Sequence, residues 1–354
     1  MDEINDKRPY KDFKGITFSK YKKNAAKKEL LNSLIQEKIE PACYWSAEFI
    51  CAGHYLELWE IIITFMSRHI HLGNPKLPMY IRLRYDNFKT IITAGYKDNE
   101  LQLRNNKKIR ILFAEIISIL SLSRKKIRLH VIKIDKKDFI MSQLSGKLKA
   151  DSIAYASAIF RKKDPKELFI AINEFGYHLC SANMQSACYW LEWLLAFNTH
   201  CQKGKTNSYK AARRVHIPVE TKYQTDMIWI IWELLLSNAR KKKSNIMSIL
   251  EALLSLFCIR YQHGVKKRRR FVLYFAIMVV VEPYNATIPI YTQKEQIENI
   301  KQKINVIYRQ IKKNEIKPDT DYLFNNSITG KTNIEKTIHK LDRMDTLTGF
   351  IPRQ

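Results

Sequence analysis

Apolar residues recur at three- and four-residue intervals through most of the chain, which predicts a mainly α-helical protein. Leu30, Leu31, Leu34 and Ile35 mark a first helix within 24–40. Pro41 suits the first turn of a second, whose i, i+3/i+4 spacing runs through Tyr44, Trp45, Glu48, Phe49 and Ala52 to an end at Gly53. A nearly all-apolar helix follows from Leu56 to Ser67. The stretch from Arg68 to Pro78 holds Gly73 and two prolines and reads as a loop. Further helices are predicted over 79–93 and 109–122, and Ile127–Ile134 alternates more like a strand. Beyond a polar stretch holding one short helix at 151–160, Asp164-Pro165 opens a second series. Its helices are expected at 165–180, 185–200, 222–239, 245–262 and 268–282, with a long charged one at 295–313.

Within this pattern one tetrapeptide occurs twice, Ala42-Cys43-Tyr44-Trp45 and Ala187-Cys188-Tyr189-Trp190. Each copy follows a Lys-Glu-Leu triplet and precedes an apolar, Trp-containing run, Leu58–Ile63 in one case and Met227–Glu233 in the other. Each is then followed by a basic patch entering an apolar helix, and by a short β-like piece, Val131–Ile134 or Ile288–Thr292. The spacing of 145 residues exceeds solenoid periods. The expected fold is therefore mainly α, with two tandem pseudo-repeated multi-helix domains and short β-like segments. The predicted divisions are a basic N-terminal arm (1–24), repeat one (25–140), a linker (141–163), repeat two (164–313) and a C-terminal tail (314–354).

Composition adds a charge problem. The 354 residues hold 61 Lys and Arg against 34 Asp and Glu, a formal net charge of +27. Self-repulsion of that size is most easily tolerated beside a polyanion, and nucleic acid is the first candidate, ahead of an anionic membrane. Only ten Gly and ten Pro punctuate the chain, which favours helices over a many-turned β-fold. Six cysteines, at 43, 51, 180, 188, 201 and 258, sit in or beside apolar runs and read as buried free thiols of a reducing compartment. No apolar run reaches the ~18 residues of a membrane span, and the charged N-terminus is unlike a signal peptide; an intracellular protein is expected.

Catalytic chemistry finds little support. Gly204-Lys205-Thr206 and Gly330-Lys331-Thr332 resemble the end of a phosphate-binding loop, but Thr199 and Asn325 stand where its first glycine must be. Cys51, His54, His69 and His71 are zinc-type ligands, yet Cys51 lies in an apolar helix and the second copy has no matching set. Cys43 and Cys188 sit among aromatics, as packed thiols do. Glu48, Glu60, Glu115, Glu192 and Glu233 lie inside apolar helices and are expected to pair internally with Arg or Lys. The chain is read as non-enzymatic, with no cofactor and no metal.

The basic clusters are the functional lead. They are Arg82 with Arg84; Lys107, Lys108 and Arg110; Arg124, Lys125 and Lys126; Arg213 with Arg214; Arg240, Lys241, Lys242 and Lys243; and Lys266, Lys267, Arg268, Arg269 and Arg270. If they share a face, each phosphate neutralised adds salt-dependent affinity. No base-reading motif accompanies them, so binding would follow backbone or shape.

Ala42–Trp45, Ile70–Pro78, Ala187–Trp190 and Lys266–Arg270 together resemble an uncharacterised protein family of the nucleocytoplasmic large DNA viruses, over about residues 25–325. The resemblance supplies no catalytic residue. It implies a viral setting, in a cytoplasmic factory or a virion, with viral protein partners. The expected function is a nucleic-acid-binding accessory protein of replication, transcription or packaging; the alternative is a structural or scaffold protein of a virion or polymerase assembly.

Overall fold

Ala26, Leu30 and Leu34 repeat at four-residue steps, so they share one face of α1 (Lys23–Ile35) and bury it completely. The computed structural model of the chain describes residues 3–96, 99–203, 210–242 and 244–316. After a turn with Glu37 at positive φ, α2 (Ile39–Cys51) returns against α1 as a helical hairpin. Helix α3 (Tyr55–Phe65) runs into a π-helical turn, Met66–Ile70, and a 3-10 turn, His71–Gly73. Pro78 opens α4 (Leu77–Thr93), where a missing N–H is harmless. The Asn106 side chain caps α5 (Lys107–Leu122) by accepting from the amides of Lys108 and Ile109. Short pieces α6 (Met141–Leu144) and α7 (Ala154–Ser157) lead to α8 (Phe169–Cys180) and α9 (Met184–Lys203). Then come α10 (Ile228–Arg240), α11 (Ser244–Cys258), α12 (Val265–Arg268), α13 (Arg270–Val281) and α14 (Lys294–Lys312).

Every residue of α13 from Phe271 to Val281 is buried. A helix apolar on all sides can only sit inside, and α13 is the axis of the molecule. It packs on α8, α9, α10 and α11, and also on α3 and the turns Met66–Ile70 and His71–Gly73. Helix α11 lies on α4, and α14 lies on α2 and α5. One hydrophobic cluster thus runs through both halves. Helix α1 packs on α2 and α8 on α9; α5 receives α2 and α4, and α13 receives α9 and α11.

Three expectations need correction. The basic N-terminal arm, expected as a division of its own, is packed into the fold, with Ile4, Phe13 and Phe18 buried. Arg8 holds the arm in place, its guanidinium 4.8 and 4.7 Å from the Phe13 and Phe18 ring centroids and chelated by Asp6. Asp6 in turn accepts from the Ile316 amide at 2.9 Å, tying the two ends of the described chain together. Next, the β-like segments form no strand among the described residues, whose only bridges are isolated ones at Ile16–Lys22 and Lys210–Asp226. The segment after α5 spends its amides on turn carbonyls instead, Lys126 on His69 at 2.8 Å and Leu129 on Arg68 at 3.1 Å. Finally, the helix expected at 151–160 shrinks to α7, since Asn173 intercepts the Ala156 amide and the Ser152 carbonyl.

Of the cysteines, Cys43, Cys51, Cys188 and Cys258 are buried free thiols, while Cys180 is exposed; the Cys201 side chain lies outside the described residues. Burial pushes the Cys43 thiol up to about 12, which keeps it protonated and unreactive. Among the described residues no helix is long and apolar enough to cross a membrane.

Candidate nucleic-acid interface

The six basic clusters divide residue by residue once their partners are known. Arg84 bonds Glu115 at 2.5 Å, beside the Tyr80 hydroxyl. Arg110 is buried, donating to the Arg104 carbonyl at 2.7 Å and lying over the Tyr308 ring. Arg214 is wholly buried between Asp164 and Glu233. Lys266 and Arg269 are buried on Asp226 and Glu60, and Arg270 meets Glu192 at 3.1 Å. These six cations were expected to face phosphates; five of them neutralise acids inside the fold instead, and Arg110 is spent on a carbonyl, two asparagine side chains and a ring. Of the five acids read as internal partners, Glu60, Glu115, Glu192 and Glu233 have their arginines. Glu48 does not: it accepts from the amide and hydroxyl of Ser19.

The other predicted cations are at the surface. Arg82, Lys107, Lys108, Arg124, Lys126, Arg213, Arg240, Lys241, Lys242, Lys267 and Arg268 are exposed. Arg213 donates to Gln224, Arg268 lies 3.6 Å from Glu60, and Lys125 reaches Glu37 at 3.0 Å. Lys243 lies outside the described residues. Lys107 and Lys108 stand at the opposite end of α5 from Arg124, about 24 Å away along sixteen residues of helix. A single face for all six clusters is not what the structure forms.

Two clusters do converge. Arg124 and Lys126 follow the C-terminus of α5, and Arg240–Lys242 end α10. The Lys242 ammonium donates to the Val280 carbonyl at the C-terminus of α13. The turn after α13 lies between the two sets: Glu282, Pro283 and Tyr284 line one cavity with Arg124 and Lys126 and another with Lys242. Cations at helix C-termini complement the helix dipoles, so part of this clustering serves the fold.

From this edge an extended strap, residues 124–134, crosses the π-helical turn. It carries Arg124, Lys125, Lys126, Arg128, His130 and Lys133 and no acid up to Lys133. Arg124, Lys126 and Arg128 make no ion pair among the described residues. Arg68 lies beneath, bonded to the Leu129 carbonyl at 3.1 Å and over the Phe271 ring at 4.5 Å. Partial burial and the neighbouring Arg128 depress the Arg68 guanidinium below its ordinary value. His69 is brought down to about 4 by burial, then by Arg128, Arg68 and His71, and is neutral at pH 7. Burial is the larger cause for both groups, and Arg128 the next.

Gly73 lets the strap lie down, since a Cβ there would fall 2.3 Å from the Arg124 carbonyl oxygen. Gly73→Ala is expected to lift the strap and cost about 1–3 kcal/mol of stability. Hydrogen exchange should then quicken at the Lys126 and Leu129 amides; unchanged protection there would refute the contact.

Sequence reasoning missed Arg68, Arg128 and Tyr284. Arg68 was hidden in a presumed loop, and Arg128 in a presumed strand; the acid-free run from Arg124 to Lys133 was the available signal. The zinc-type residues are otherwise engaged: His54 Nε2 lies 3.0 and 2.8 Å from the Phe13 and Ile16 carbonyls, and the His69 ring stacks on Phe65. Among the described residues no group of three or more His, Cys, Asp or Glu is placed to hold a metal ion. The phosphate-loop look-alikes at 204–206 and 330–332 lie outside the described residues. No family model matches the chain, and no curated protein or solved structure matches it.

Proposed function

We propose that the protein is a non-enzymatic nucleic-acid-binding factor that holds phosphates on the strap 124–134 and the adjoining edge at Arg240–Lys242. The single observation carrying this reading is the acid-free strap from Arg124 to Lys133, where the exposed Arg124, Lys126 and Arg128 make no ion pair among the described residues. The recurrent helix neighbours support the further reading that the halves are copies of one module joined into a common core. The viral setting, as an accessory to replication, transcription or packaging, rests on the resemblance of the motifs.

The test is a gel-shift titration over rising salt. Three phosphates on Arg124, Lys126 and Arg128 correspond to a log–log slope of about −2.7, or roughly 40-fold weaker binding between about 50 and about 200 mM salt. The triple charge reversal R124E/K126E/R128E is expected to abolish most of that dependence. A flat salt response of the native protein would sink the reading. A stoichiometric protein partner that survives nuclease treatment would favour the scaffold alternative.

A further inference from the structure

The strap and the turn after α13 enclose a cavity of about 330 Å³, lined among others by His71, Arg124, Lys126, Glu282, Tyr284 and Asn285. Its walls differ in kind. Arg124 and Lys126 are cationic, Tyr284 is an aromatic ring half-buried beside them, and Glu282 and Asn285 offer acceptors. Tyr284 also lines the neighbouring cavity of about 600 Å³ that carries Lys242. The ring therefore stands between two sources of positive charge, at the point where two predicted clusters meet. Burial pushes its phenol above the ordinary value, so it remains an uncharged aromatic surface at neutral pH.

His71 gives this cavity a second mark. It is a non-glycine residue held at φ +32°, an unfavourable backbone conformation of the sort retained where the surroundings enforce it. Its Nε2 donates to the Ile127 carbonyl at 3.0 Å, which fixes the 4% exposed residue in the cavity wall. Nucleobases carry N–H and amino groups that the Glu282 carboxylate and the Asn285 side-chain carbonyl can accept.

We infer that this cavity receives one unstacked base of a single-stranded nucleic acid, with Tyr284 as the stacking surface and Arg124 and Lys126 on the adjacent phosphate. The inference rests on the nucleic-acid reading above and narrows it to single strands. Stacking on a ring is sequence-tolerant, because every base presents a π-face. The Glu282 carboxylate repels a second phosphate and accepts from a base amino group, so it orients the nucleotide with its base inward. A duplex cannot enter without unpairing and flipping a nucleotide. Duplexes would be left with the strap alone.

The experiment uses the full chain with fluorescein-labelled oligonucleotides of mixed sequence, single-stranded and duplex, read by anisotropy at low salt. Tyr284→Ala is expected to weaken single-strand binding about tenfold and duplex binding less than about twofold. Tyr284→Phe should bind as the native protein does, since the hydroxyl takes no part. Tyr284→Leu, which keeps apolar bulk for the fold, should lose single-strand affinity as Tyr284→Ala does. Equal weakening of both substrates, or of neither, overturns the base pocket. If R124E/K126E weakens both substrates while the Tyr284 variants weaken neither, phosphate binding stands and the base site falls. If the native protein binds no oligonucleotide at all, both readings fall together.

Discussion

Replacing Arg269 by methionine is expected to lower the unfolding free energy by about 3–5 kcal/mol, through the fold and not through phosphate contacts. The guanidinium is 3% exposed. It donates to the carbonyls of Leu256, Phe257 and Ile259 at 3.2, 2.8 and 2.7 Å, and two of its nitrogens reach the Glu60 carboxylate. Leu256 and Phe257 belong to the last turn of α11, whose carbonyls have no partner within the helix. Arg269 thus caps α11 and ties it to α3 in the other half of the chain. Methionine keeps bulk but strands three acceptors and leaves Glu60 with only the more distant Arg268. Urea denaturation measures the loss, and a change below about 1 kcal/mol would show that the tie is not made in solution. The pair E60M/R269M should be less destabilised than the sum of its single variants, since neither charge is then left unmatched.

Asp226→Ala should cost a similar amount, about 3–5 kcal/mol, because it leaves a buried ammonium with no counter-charge. Lys266 bonds both Asp226 oxygens at 2.9 and 2.8 Å, and Tyr261 and His263 donate to the same carboxylate. Burial by itself would raise the Asp226 carboxyl; the His263 bond and the Lys266 ammonium outweigh it and bring the group down to about 2. A folded value below the unfolded one means stability that is complete above the unfolded value of about 3.9 and lost as pH falls toward 2. The amount is roughly 2–3 kcal/mol. Native protein should therefore show a falling limb of stability between about pH 4 and about pH 2, and the alanine variant a shallower one. Equal slopes in the two would mean that another carboxylate, such as Asp164 beside Arg214, governs the acid limb.

Helix existence was legible because it depends on local spacing. Ala26, Leu30 and Leu34 share a face through backbone geometry alone, and Asn106 caps α5 with an oxygen two residues from its first partner. The run Phe271–Val281 lies within the helix expected at 268–282, and that helix became the central one. The arm was misread because its three buried apolar residues, Ile4, Phe13 and Phe18, follow no helical or strand period. Their docking partners lie far along the chain, as the bond between the Ile4 amide and Asn105 illustrates.

The sequence by itself determined that the chain is helical, where most helices run, and that it carries a large excess of cations. Only the tertiary structure decided which cations are free. Lys266, Arg269 and Arg270 are close neighbours in sequence, yet their acids stand 40, 209 and 78 residues away. Each residue of a helical turn points in a different direction, so one basic run is shared among three acids on three elements. Periodicity is a short-range property of the backbone and can be read from spacing. The pairing of a charge depends on what the fold brings beside it, and no local pattern carries that.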